Sequence, residues 1–343
     1  MNTPAFKSTR APVAALLLLA PIIGEVLSGA TRLSFIFVLL PEIMVWGCGA
    51  LLIRETVRRW NGGWTSLLLL GFALAVAEEF IIQQTSIAPL PWIHDGPVYG
   101  RVLGVNWPWF LFMLVYEAVW VVVVPVQVCE LMFPSRRKEP WLRRGGLWIA
   151  GTVFLAGSFI AWFLWTQIAR PNSFHAPAYH PPPILVLAGL TAILLLIALA
   201  YAVRNRRAAP RRVPAAGPWF LAAAGLLLGL PWYLLMLVIF APRPDLPLVV
   251  PMGLGIGWAG LAVALVRHWA RAESWADLQR WALCLGALLA VMLGGFLGSN
   301  AWPTVDVVGK IVLNLLALAG MGVLAARIST VGRDSVEPSN ETE

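Results

Sequence analysis

Ten long apolar runs constrain this chain more than any other feature: 11–29, 33–53, 64–86, 107–128, 147–168, 183–203, 218–240, 248–266, 281–299 and 305–326. Each has 19 to 23 residues. About 20 apolar residues in a helix cross a hydrocarbon core about 30 Å thick, and at this length only a helix satisfies its own backbone in lipid. The alternating segments of about ten residues that mark a membrane barrel are absent. The expected fold is all-α: a polytopic integral membrane helical bundle of about ten transmembrane helices. Composition excludes the soluble alternative, because 59% of the 343 residues are hydrophobic, 12% are charged and the mean hydropathy is +0.77. So few charged side chains cannot cover a water-soluble domain of this size.

Orientation follows from Lys and Arg in the connections. One set of loops and ends carries 20 of the 25 basic residues, among them Arg54, Arg58, Arg59, Arg136, Arg137 and Lys138. The alternate set carries Arg32, Arg101, Arg170 and Arg243. Both termini are therefore expected in the cytoplasm. The net charge of +8 marks topology and does not call for a nucleic-acid partner. A count of 22 Arg against 3 Lys, with abundant Ala, Pro and Trp, suggests a GC-rich bacterial genome and hence a multi-pass protein of the bacterial inner membrane, with the lipid bilayer as its partner. Lys7 and Arg10 before an apolar stretch ending in Ser28-Gly29-Ala30 also fit a cleavable secretory signal over residues 1–30, although Pro21 and Glu25 count against it. Cys48, Cys129 and Cys284 show no CxxC spacing, so neither a disulfide framework nor a zinc site is expected.

The halves differ in chemistry, which suggests a four-helix region over 1–133, a six-helix region over 134–328 and a disordered acidic tail over 329–343. The first four runs carry Glu25, Glu42, the pair Glu78-Glu79, and Glu117. A carboxylate at membrane depth is costly and normally faces a wet cavity, where it serves an ion, proton or substrate path. Counting ~1.5 Å per residue from the outer ends puts the first four in the outer half of the bilayer and Glu117 near the midplane. Pro21 with Gly24, and Pro41, sit beside two of these glutamates. Prolines free backbone carbonyls, and broken helices beside carboxylates are a transporter-like arrangement as well as an ordinary kink. Gln83 lies four residues after Glu79 on the same helical face, and Tyr116 and Glu117 are the polar residues in the middle of run four. Glu130, near the inner end, reads as a snorkelling side chain.

Lys310 is the candidate counter-ion for the glutamates, with Arg32 and Arg101 as rim alternatives. The competing reading pairs Lys310 with Asp306 one turn away. The connection from Ser86 to Trp107 mixes Pro, Gly and Trp residues with His94 and Asp95, which suits an ordered lid. His94 is a possible metal ligand there, against the plainer reading of a surface histidine. Later runs hold Gly225-xxx-Gly229, Gly253-xxx-Gly257 and Gly294-xxx-Gly298, spacing that suits close helix packing or a homo-oligomer surface. Ten spans also permit two inverted five-helix repeats, but no internal similarity is visible.

Glu78-Glu79-Phe-Ile-Ile-Gln83 resembles the first motif of the CPBP intramembrane proteases, the CAAX-processing and bacteriocin-processing family, in which two glutamates precede an arginine. The resemblance implies a glutamate that activates water, with histidines on later helices completing the site. This chain departs from the pattern. Gln83 stands at the arginine position, the second motif aligns loosely at Phe112 and Tyr116 or Glu117 with no histidine, and only Asn300 or Asn314 remains for the last motif.

No Walker loop, HExxH or serine elbow is present, and no cofactor is expected. The leading reading is a proton- or cation-linked transporter with an outward-facing carboxylate cavity formed by Glu25, Glu42, Glu78, Glu79, Gln83, Tyr116, Glu117 and Lys310. The alternatives are a membrane-embedded hydrolase using Glu78 or Glu79, and a non-catalytic scaffold or sensor.

Overall fold

The computed structural model describes residues 10–90, 100–206, 209–234, 246–297 and 299–334. Each expected run contains a helix among the described residues. We number them α1 (10–26), α2 (Leu33–Arg59), α3 (Trp64–Ile82), α4 (Trp107–Met132), α5 (Arg144–Ser173), α6 (Pro183–Ala202), α7 (Pro218–Tyr233), α8 (Val249–Trp269), α9 (Asp277–Gly294) and α10 (Thr304–Asp334). Among the described residues, eight of these are long and apolar enough to cross a membrane; α1 and α7 are the shorter two. The β structure comprises a two-residue hairpin, β1 (Arg101–Val102) and β2 (Val105–Asn106), and an isolated bridge between Arg211 and Ala272.

The chain puts like ends together. At the basic end, Arg54 and Arg59 of α2 reach carbonyls of the α4–α5 connection, Arg137 reaches Asp277 at 2.5 Å, and Arg327 reaches the Met132 carbonyl at 3.3 Å. At the opposite end, Asp306 takes the backbone N–H and hydroxyl of Ser34, and Arg170 donates to the Pro89 carbonyl at 3.0 Å. Contacts within each group of loops match the alternation that the charge rule requires. That rule assigns the basic end to the cytoplasm.

Helix α4 is central. One core cluster joins it to α1, α7, α9 and α10; a second joins it to α1, α2 and α3, with α5 on α2 and α6 on α3. Leu16 and Ala20 of α1 are fully buried in the second. Outer faces stay apolar and exposed, as at Trp148, Leu194, Val249 and Leu316, which suits lipid and would be untenable in water. Gly225 of α7 and Gly286 of α9 let two backbones meet: a Cβ on Gly225 would come 2.8 Å from the Leu283 carbonyl oxygen. The Gly225-xxx-Gly229 spacing therefore packs α7 inside this chain, since a Cβ on Gly229 would meet Ala290 of α9 and Trp120 of α4. Gly253 and Gly257 face open space instead.

Three sequence expectations change. Arg54 is not a solvated loop marker but is fully buried, and Arg170 is nearly so. Glu130 does not snorkel; it is buried and binds Arg54 at 3.2 Å and Arg58 at 2.5–2.8 Å. Residues 329–334, expected in the tail, instead continue α10 to Asp334, with Ser329 and Thr330 hydroxyls bonded back to carbonyls of the preceding turn.

Candidate functional site

The glutamates coincide with irregular backbone. A π-helical turn spans Ile22–Val26 around Glu25, Ile43–Gly47 directly after Glu42, Glu78–Ile82 from Glu78 onward, and Glu117–Val123 from Glu117 onward. Another, Phe163–Ala169 in α5, carries no carboxylate. A π turn replaces i→i−4 bonds with i→i−5 bonds and inserts a residue into the helix, and such turns recur at functional sites. Here the Leu27 N–H bonds the Ile22 carbonyl at 2.8 Å, and the Gln83 and Gln84 N–H groups share the Glu78 carbonyl at 2.9 and 3.1 Å. Proline explains part of this. Pro21 donates no N–H, which leaves the Leu17 carbonyl without its usual partner, and that carbonyl lies where a Cβ on Gly47 of α2 would stand.

Four of these five glutamates are buried, Glu42, Glu78, Glu79 and Glu117, and Glu25 is partly exposed. Electrostatic neighbours link the five in a chain: Glu42 with Glu25, Glu25 with Glu78 and Glu117, and Glu79 with Glu78 and Glu117. Loop residues hold two of them. The Thr31 hydroxyl donates to Glu42 Oε1, while Thr85 and Ser86 donate to Glu79 Oε2 at 2.6 and 2.5 Å. Thr85 Oγ1 in turn accepts the Trp109 indole N–H at 3.0 Å. Unpartnered oxygens remain on Glu42 and Glu79, and both oxygens of Glu78 and of Glu117 have no donor. Buried acceptors without a donor are uncommon, so a cluster of them calls for an explanation.

Tyr116 donates to the Gly24 carbonyl, one residue before Glu25, and lies within electrostatic reach of Glu25 and Glu117. Its ring stacks between Phe112 and Trp120 at 5.6 and 5.5 Å, and Tyr233 of α7 meets all three edge-on. Gln83 is half-buried at the end of α3.

The expected counter-ions go elsewhere. Lys310 is buried and donates to the Leu27 carbonyl, with its ammonium 4.8 Å from the centre of the Phe296 ring. Asp306 does not pair with it; it binds Ser34, with Arg32 at 4.0 Å. Arg101 donates to the Ile87 and Ala88 carbonyls, so it clamps the loop that carries Thr85 and Ser86 rather than reaching a glutamate. Asn106 supports the same loop through Thr85 and Ala88 carbonyls. The reason is local: Lys310 and Arg101 find fixed backbone carbonyls within hydrogen-bond distance. His94 and Asp95 lie outside the described residues. Among the described residues, no three His, Cys, Asp or Glu side chains are placed to hold a metal ion.

Nothing in the sequence pattern gave away the loop ligands Thr31, Thr85 and Ser86, since hydroxyls in a connection carry no signal of their own. No curated protein and no solved structure matches the chain. One family model does match, over residues 14–333, a stretch that takes in the five clustered glutamates and nearly all the membrane helices. The chain with this carboxylate cluster thus belongs to an uncharacterized membrane protein family.

Proposed function

We propose that the protein is a proton- or cation-linked transporter of a bacterial inner membrane, with Glu25, Glu42, Glu78, Glu79 and Glu117 as its ion site. One observation carries this reading: Glu78 and Glu117 are buried within electrostatic reach of each other, and none of their carboxyl oxygens has a hydrogen-bond donor. Neighbouring carboxylates out of water cannot all be ionised without compensation. A bound proton makes one carboxyl a donor to its neighbour, which a transport cycle can load and release. Gln83 and Tyr116 flank the site. Lys310, tied to Leu27, steadies the segment that joins Glu25 to Glu42.

Dicyclohexylcarbodiimide tests the site directly, because it adds to protonated carboxyls in apolar surroundings. Mass spectrometry should find adducts on Glu78 or Glu117 that diminish as pH rises. In proteoliposomes with an entrapped pH dye and a clamped potential, proton flux should fall in Glu78→Gln, Glu79→Gln and Glu117→Gln. Equal flux in wild type and all three variants removes the cluster from coupling.

A second reading is a membrane-embedded hydrolase like the CPBP proteases. It is favoured by the packing of α3 on α4, with Glu79 oriented by two hydroxyls while Glu78 keeps both oxygens available. Cleavage of membrane peptides by the reconstituted protein, lost in Glu78→Gln without any proton flux, would select it.

A further inference from the structure

A cavity of about 830 Å³ opens away from the glutamates, toward the basic end. That volume falls within the roughly 300–1,000 Å³ of ligand pockets. Its walls come from α3, α4, α7, α8 and α9, and along α4 they run from Val115 to Glu130. At ~1.5 Å per residue, that is about 22 Å of depth, more than one leaflet of a ~30 Å core. The deep part is apolar, with Trp120, Trp232 and Trp258 among its lining. The mouth is charged: Arg58, Arg137, Lys138 and Arg280 against Glu130 and Asp277, an excess of two positive charges.

The carboxylates at the mouth are already engaged. Glu130 binds Arg54 and Arg58, and Asp277 is shared by Arg137 at 2.5 Å and Arg280 at 3.5 Å. Lys138 is exposed, and among the described residues no carboxylate lies within ion-pair distance of it. A long apolar slot beneath a net-positive mouth matches one chemistry, an acyl chain ending in an anionic head. Basic pockets between helices on the cytoplasmic side suit such headgroups.

We infer that this cavity binds an anionic membrane phospholipid, its phosphate at Lys138, Arg137 and Arg280 and an acyl chain along α4. The depth argues against a free anion, which would use the mouth and leave the apolar slot without an occupant. The site uses none of Glu25, Glu42, Glu78, Glu79 and Glu117 and stands whether or not they carry protons.

The test uses the full chain, delipidated in detergent and placed in nanodiscs holding equal phosphatidylglycerol and phosphatidylcholine with identical acyl chains. Native mass spectrometry then reads the lipid retained on the released protein. Phosphatidylglycerol should be retained in preference, and Lys138→Gln should reduce that preference about fivefold, the effect of one cation near an anionic headgroup. Ala262→Trp, on the cavity wall, should displace the chain and reduce retention of both lipids. Lys138 is exposed, so its variant keeps the test valid if Ala262→Trp fails to fold. Equal retention of the two lipids, an unchanged preference in Lys138→Gln, or displacement of the lipid by inorganic phosphate alone would each overturn the assignment.

Discussion

Replacing Arg54 by Met tests the buried ionic hub at the basic end. The guanidinium is fully buried and donates five times: to Glu130 at 3.2 Å, Glu55 at 3.0 Å, and the carbonyls of Glu139, Arg136 and Arg137 at 2.7, 3.3 and 3.0 Å. It also lies 3.5 Å from the centre of the Trp141 ring. Glu130 keeps Arg58 in the variant, and Glu55 keeps the Trp141 and Leu142 N–H groups, so neither carboxylate is abandoned. The cost falls on the three carbonyls, about 1 kcal/mol each once water has partly replaced the donor, and on the cation–π contact, ~1–2 kcal/mol. A loss of about 4–5 kcal/mol results, in the range for breaking a buried charge network.

Thermal unfolding in detergent, followed by tryptophan fluorescence, should show the midpoint falling by about 5–15 °C. Proteolysis should open the connection over 134–142 before the rest of the chain. Arg59→Gln is the control, since its side chain is more than a third exposed, and it should cost under about 1 kcal/mol. If Arg54→Met lies within about 0.5 kcal/mol of wild type with the connection still protected, the hub does not hold the α4–α5 loop and the reasoning fails.

Other outcomes follow from the same geometry. Glu117→Gln should leave stability unchanged or raise it while reducing proton flux, because it removes one of several crowded carboxyls; a clear loss of stability would mean that Glu117 has a structural role. Thr85→Val with Ser86→Ala strips Glu79 of its hydroxyl donors and should cost about 1–3 kcal/mol per lost donor in unfolding experiments. Gly286→Ala would push a Cβ onto the α7 backbone and should lower stability by about 1–3 kcal/mol, whereas Gly253→Ala, facing open space, should be neutral or mildly stabilising. If Gly253→Ala weakened the protein or shifted its size on a detergent column, that face would be an interface between copies.

Much of the fold is legible because lipid asks so little of a sequence. Length and apolarity locate ten helices, and cation placement sorts the connections into two ends. Side-chain partners are another matter. Arg54 looks like a loop marker because its acids are an immediate neighbour and Glu130, a residue far along the chain. Lys310 and Arg101 look like counter-ions because counting charges ignores backbone carbonyls, which outnumber carboxylates and are held in fixed positions. The glutamates stand out by cost alone, and Pro21 and Pro41 hint at irregular backbone beside two of them. No residue announces the π turns at Glu78 and Glu117, where the extra residue depends on how α3 meets α4.

Those turns have a consequence for how sequences of this family should align. An inserted residue in a helix is tolerated where it serves a site, and removing it rotates everything downstream by about 100° relative to everything upstream. A relative lacking the glutamate at one of these four turns loses the carboxylate that the insertion positions there. Its helix should be one residue shorter there, with a single-residue gap inside an apolar segment. Gaps of that kind, read across relatives, would record which of the four helices still carry the chemistry.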